Sequence, residues 1–289
     1  MTHPFRIWPF SIVCICFMLL PAFAAAEERD SLQTGSTEAD APLDDYFDIA
    51  TQISLQDDLP PASTKPKQIG VGAQVLTASN PYRDGDTVVL ALPMLTYVGE
   101  RFFVVSPRAG YAIVRDPRGS INVVVDYRFK GEAFEAEGFL AGMEDRKNTA
   151  MAGLDANVRT YGKCRLEVSA MTDIFDRHNG QEVNTVLSRV FRWKQTSLIP
   201  GVGVVWRSAD YNDYYYGVRL SEATDARPAY DPGDSLEWFA RLLLRYTLTA
   251  HWSLAGAVRF EAFSSEVRDS PIVDRDYLTT TIVGVNYLF

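Results

Sequence analysis

The sequence predicts an all-β protein: a transmembrane, antiparallel, up-and-down β-barrel of about twelve strands. Three observations carry this. Apolar and polar residues alternate with period two through most of the chain after residue 67. The alternating stretches run ~10 to 14 residues, whereas strands of ordinary globular domains run ~5 to 6 and a tilted strand needs ~9 to 11 to cross a bilayer. Short and long connections also alternate along the chain, as in membrane barrels with short periplasmic turns and long external loops.

The first 26 residues read as a secretory signal. Arg6 gives a positive start, Ile7 to Leu20 an apolar core, and PAFAAAEE small-residue cleavage sites. Cys14 and Cys16 belong to this segment, which leaves Cys164 as the sole cysteine beyond it, so no internal disulfide is expected. Residues 27–67 predict a flexible acidic periplasmic linker. Between Glu27 and Thr64 there are ten acidic residues against Arg29 alone, with little apolar periodicity, and such a segment buries too little surface to offset its ordering entropy. The whole chain carries a net charge of −9, which argues against a nucleic-acid partner. Mean hydropathy is −0.09, too low for a bundle of apolar spanning helices and compatible with strands that mix apolar and polar residues one for one.

From residue 68 the alternation places strands at 68–78, 87–98, 101–114, 120–129, 133–141, 149–161, 163–175, 183–194, 196–208, 235–248, 251–263 and 277–289. The fifth is the weakest, since EAFEAEGFLAGM also suits a short helix; ten strands is the alternative count. INVVVDYRFK shows the pattern: Ile121, Val123, Val125, Tyr127 and Phe129 on one face, Asn122, Asp126, Arg128 and Lys130 on the other. In SLEWFARLLLRYTL, Leu236, Trp238, Leu242, Leu244 and Tyr246 oppose Glu237, Arg241 and Arg245. Tight connections fall at Gly99-Glu100, Tyr161-Gly162-Lys163, Trp193-Lys194-Gln195 and Thr249-Ala250-His251, and long polar ones between them.

Alternation does not tell inside from outside. A soluble sandwich or barrel turns its apolar face inward; a membrane barrel turns it outward. Strand length, loop asymmetry and aromatics near strand ends (Trp193, Trp206, Trp238, Trp252, Tyr246, Tyr287, Phe289) favour the membrane. The charged set then lines the lumen: Asp126, Arg128, Arg165, Glu167, Glu237, Arg241, Arg245, Arg259 and Glu261, with Asp155, Arg159, Asp173 and Arg207. The mixed signs speak against strong ion selectivity. The last strand, TTTIVGVNYLF, ends on Phe289 with Tyr287, Val285 and Val283 on the same face. It reads as the closing strand, paired to the first so that no edge is left in the bilayer. It also resembles the C-terminal signal read by the barrel-assembly machinery.

GMEDRK (Gly142 to Lys147), HNGQEV (His178 to Val183), DYYYGVR (Asp213 to Arg219) and DSPIVDRDY (Asp269 to Tyr277) occur in an order that resembles the MipA/OmpV family, the MltA-interacting proteins. The resemblance covers roughly residues 68–289. It implies an outer-membrane barrel whose named member is a scaffold joining a lytic murein transglycosylase to a murein synthase. Other members have proposed roles in adhesion or in solute and antibiotic uptake. The matching loop residues are Gly142, Met143, Asp145, Arg146, Tyr214, Tyr215, Tyr216, Gly217, Arg219, Asp274 and Asp276. Two structural expectations attach to them. YYYGV suits an inward-folded strand whose tyrosines pack at the barrel mouth, with contact to a ligand or partner as the alternative, and Arg146, Arg219, Asp274 and Asp276 suit a plug-like ion-pair network.

Enzymatic chemistry finds little footing. Beyond the signal there are two histidines, His178 and His251, and no G-x-S-x-G motif accompanies them. A dyad of His178 with Ser188 is the one speculative arrangement. The histidines lack metal-ligand spacing and no phosphate loop is present, so no cofactor or metal is expected. The candidate functions are a scaffold barrel, a narrow channel or adhesin, and, remotely, an outer-membrane hydrolase.

Overall fold

The computed structural model describes residues 68–129, 134, 136–161 and 164–289. The predicted signal and acidic linker lie outside the described residues, as do Gly162 and Lys163 of one predicted turn.

Thirteen strands form one closed antiparallel sheet. They are β1 (Gln68–Ala78), β2 (Val88–Val98), β3 (Phe102–Val105), β4 (Arg108–Asp116), β5 (Gly119–Arg128), β6 (Thr149–Arg159), β7 (Cys164–Asp173), β8 (Gln181–Arg189), β9 (Phe191–Trp193), β10 (Thr196–Arg207), β11 (Ser235–Thr247), β12 (Trp252–Ala262) and β13 (Tyr277–Leu288). β9 continues β8 in the same register against β10 after a break at Val190, so the wall is crossed twelve times. Closure comes from β1 against β13, from Gly70↔Leu288 to Ala78↔Thr280.

The structure fixes which face is inside. Ile121, Val123 and Val125 are 42–43% exposed while the alternate residues Asn122, Val124 and Asp126 are 0% exposed. β11 repeats this, with Leu236, Trp238, Leu242, Leu244 and Tyr246 outward and Glu237, Arg241 and Arg245 buried. The chemical reason is the solvent. An Arg on the lipid face costs ~2 to 4 kcal/mol at mid-bilayer, so the charges go where they meet one another. Trp193, Tyr246, Trp252 and Phe289 are exposed at the short-turn end, and Trp238 at the opposite end. These are the depths where aromatic rings favour the interface.

Two predicted elements differ, and the differences cancel. The single strand expected at 101–114 is two short strands, β3 and β4. The chain reverses at Ser106–Pro107, where proline cannot donate to a ladder and Ser106 N–H turns back to the Leu95 carbonyl at 3.0 Å. The strand expected at 133–141 is absent among the described residues. Gly138 takes φ +55° and opens a 3₁₀ turn, Gly138–Leu140, within the long β5–β6 connection. One strand gained and one lost keep the later strands pointing as expected. β3 has only four residues, so among the described residues no strand pairs with β2 on its β3 side from Val88 to Met94.

Candidate functional site

Three sets of side chains occupy the barrel, and the functional candidates fall within them. The first is an apolar cluster on one side of the wall. Leu76, Met94, Ile199, Leu243, Ala257 and Ile282 reach inward from β1, β2, β10, β11, β12 and β13 and pack together. Charge counting missed this cluster. Its signal in the sequence is VVLALPML at 88–95, which is apolar on both faces.

The second set is ionic. Arg207 is its hub, with Nη1 at 2.7 Å from both Glu237 and Glu261 and Nε at 3.1 Å from Glu182. Arg128 bridges Glu182 (3.1 Å) and Asp126 (3.3 Å). Arg108, unremarked in the sequence reading, holds Asp126 at 2.9 Å. Arg241 takes both Glu167 oxygens at 2.8 and 3.0 Å, and Ser188 donates to Glu167 at 3.1 Å. Arg259 pairs with Glu261 and lies 3.6 Å from the centroid of the Phe239 ring. Arg165 and Arg245 are buried toward the short-turn end. Arg159, expected in the lumen, is instead exposed at the end of β6, where the strand leaves the wall. Burying so many charges is tolerable only because opposite charges adjoin; Arg207 meets three carboxylates, and Arg128 and Arg259 share two of them.

The third set is a cap over the long-loop end. The segment YYY is not a strand: it closes an α-helix, α1 (Ala209–Tyr216). The Asp234 carboxylate accepts the Ala209 N–H at 2.7 Å, satisfying an orphan donor of the first turn. Asn212 donates to the Gly233 carbonyl at 2.8 Å. The helix lays Tyr211, Tyr215 and Tyr216 on the lumen side, buried with Tyr82, Phe134, Leu140, Met143, Phe263, Ile272 and Val273. Tyr82 donates its hydroxyl to the Tyr215 carbonyl at 3.0 Å, and Ser270 donates to the Tyr216 carbonyl at 2.6 Å. Burial pushes the hydroxyls of Tyr82, Tyr215 and Tyr216 well up, so they stay neutral. The helix ends where Gly217 turns extended (φ −76°, ψ 158°), and a Cβ does not fit there because it would meet the Asp213 carbonyl at 2.4 Å. Gly142 is required by φ +84°.

The expected cap network exists with other acids. Arg146 makes a two-pronged pair with Glu222 at 3.1 and 3.2 Å, and Arg219 pairs with Glu144. Asp274 and Asp276 lie near Arg275 and Arg268 at 4.0 and 3.9 Å, at the exposed rim. Burial works to raise the Glu222 carboxyl, but hydrogen bonds from Arg146 and from the Glu144 and Arg219 N–H groups outweigh it and leave it below its usual range. Met143 joins the apolar cap, while Asp145 is exposed. The His178 and Ser188 pair does not form a dyad: His178 Nδ1 accepts the Gly180 N–H at 2.9 Å, while Ser188 serves Glu167.

At the opposite end, Phe289 is 74% exposed and its N–H donates to the Ile69 carbonyl at 3.0 Å. Tyr287 packs against Trp252 and Phe289 at 5.0 and 5.2 Å between centroids. Val283 is exposed on the outer face and Val285 half-buried.

A closed antiparallel barrel with an apolar outside and an ion-paired inside is an integral membrane β-barrel of the outer-membrane class. The family profile described as MltA-interacting protein MipA matches residues 69–289. The chain belongs to that family. It is 31% identical over 229 residues to the MltA-interacting protein of Escherichia coli K12, covering 77% of this chain and 90% of that one. It is 26% identical over 194 residues to the outer membrane protein OmpV of Vibrio cholerae, covering 66% and 75%. The protein is located in the outer membrane, as these relatives and the fold agree; the named relatives are MltA-interacting and outer membrane proteins. Among solved structures, the NanC porin aligns with a TM-score of 0.41 at 9% identity, over 75% of this chain and 98% of its own.

Proposed function

We propose that the protein is a non-conducting outer-membrane anchor. Its periplasmic turns and acidic N-terminal segment present a docking platform to a lytic murein transglycosylase and a murein synthase. One observation carries the reading: an apolar cluster, a network of buried ion pairs and a packed cap all occupy the lumen, so the barrel has the build of a rigid fixture rather than a conduit. The name of the E. coli relative, MltA-interacting protein, supports the choice of partner. Outer-membrane lipid surrounds the wall, and the barrel-assembly machinery acts on the last strand during insertion.

The test has two arms. Planar-bilayer recordings of the purified barrel are expected to show no unitary conductance; steady single-channel currents sink the sealed reading and restore the channel. Photo-cross-linkers placed in the short turns, at Glu100, Arg118 and His251, are expected to capture a murein hydrolase in intact envelopes. Capture at equal yield from cross-linkers in the external loops, or none at all, removes the scaffold.

A further inference from the structure

Beneath the cap, where the apolar cluster meets the ion pairs, lies a partly open cavity of about 130 Å³. Its two sides differ in chemistry. One is hydrocarbon: Leu76 and Ala78 of β1, Val88 and Leu90 of β2, and Leu278 of β13. The other presents Arg128, Arg207 and Arg259 beside Glu182 and Glu261. Tyr82, Tyr215 and Tyr216 of the cap also border it.

We propose that this cavity is a binding site for a small neutral amphiphile: one aromatic or alicyclic ring bearing a hydroxyl or amide. Size sets the first limit: about 130 Å³ is close to the ~150 Å³ that holds a benzene ring in an apolar cavity, and here one side of the space is polar enough to take a hydroxyl. Shape sets the orientation, with the ring on the β1–β2–β13 wall and the polar substituent toward the Arg and Glu groups. Charge sets the head group. Arg128, Arg207 and Arg259 each already pair with a carboxylate within 3.3 Å. A charged ligand must break one of these pairs, whereas a hydroxyl can donate to a Glu oxygen or accept from a guanidinium without disturbing the balance. The site is independent of the scaffold role, which uses the opposite end of the barrel.

The experiment uses the full barrel in phospholipid nanodiscs, where no detergent tail competes, with 4-fluorophenol as the ¹⁹F NMR probe. Saturable line broadening is expected with the native protein. Ala78→Phe, which fills the cavity, is expected to weaken binding at least tenfold; Leu90→Trp is the second filling variant should Ala78→Phe fail to give a heat-modifiable band on gels. Val89→Phe, on the outer face of the same strand where the native residue is 62% exposed, is expected to leave binding unchanged. The anionic probe 4-fluorobenzoate is expected to bind at least tenfold more weakly than the phenol. Absence of saturable binding, or equal binding in the filled and Val89→Phe proteins, overturns the site, the latter marking partition into lipid. Equal affinity for the benzoate overturns the neutral head group.

Discussion

Replacing Arg207 by leucine tests the logic of the lumen most directly. Its guanidinium meets Glu182, Glu237 and Glu261 at 3.1, 2.7 and 2.7 Å, and Glu237 is 1% exposed. Leucine fills part of the volume but supplies no charge. Three carboxylates then face one another in a region where water is scarce. Breaking a buried pair by removing one partner costs about 3 to 5 kcal/mol. Part of that penalty is relieved because Glu182 keeps Arg128 and Glu261 keeps Arg259, so the lower half of the range, about 3 kcal/mol, is expected. The assay is urea unfolding of the barrel in phospholipid vesicles, followed by tryptophan fluorescence. Adding Glu237→Gln to Arg207→Leu is expected to recover about 1 kcal/mol or more, although Glu237→Gln alone destabilises. That sign reversal is the signature of direct coupling. If Arg207→Leu unfolds within about 1 kcal/mol of the native barrel, or the second change brings no recovery, the ionic layer is not what steadies the lumen.

Three further outcomes follow from other parts of the structure. Deleting Phe289 is expected to lower insertion in cells several-fold while barrels folded in vitro keep nearly native unfolding midpoints, because the side chain is exposed and one backbone bond to Ile69 is lost; normal insertion in cells refutes it. Val123→Arg in the middle of β5 puts a charge on the lipid face and is expected to cost about 2 to 4 kcal/mol by the same urea assay. Glu222 sits below the usual carboxylate range, so its stabilisation of the cap is fully present above the unfolded value near ~4.3 and is lost as pH falls through the lower folded value; hydrogen-exchange protection across residues 218–234, corrected for the intrinsic exchange rate at each pH, is expected to fall in that acid window and to be nearly pH-independent there in Glu222→Gln.

The sequence by itself determined much of the wall. A period of two sustained over 11 residues at Gln68–Ala78 or 13 at Ser235–Thr247 leaves few conformations but a long strand, and alternating short and long connections fix which end is which. Aromatics near strand ends and the closing strand were legible for the same reason: they depend on neighbours along one chain. The turn at Ser106–Pro107 was written locally too, yet it was outweighed by the apolar run on either side of it. What only the tertiary structure decided concerns groups far apart in sequence. Arg207 meets Glu261 and Arg146 meets Glu222 because barrel closure brings them together, and no periodicity encodes a partner 54 or 76 residues away. The tyrosines of YYYGVR form a helix rather than a strand because the mouth of the closed barrel offers an apolar floor and Asp234 a cap for its first turn. Inside and outside are likewise a global property. Many strands carry one apolar and one charged face, and only closure around a lumen, in a solvent of lipid, makes the charged face the interior.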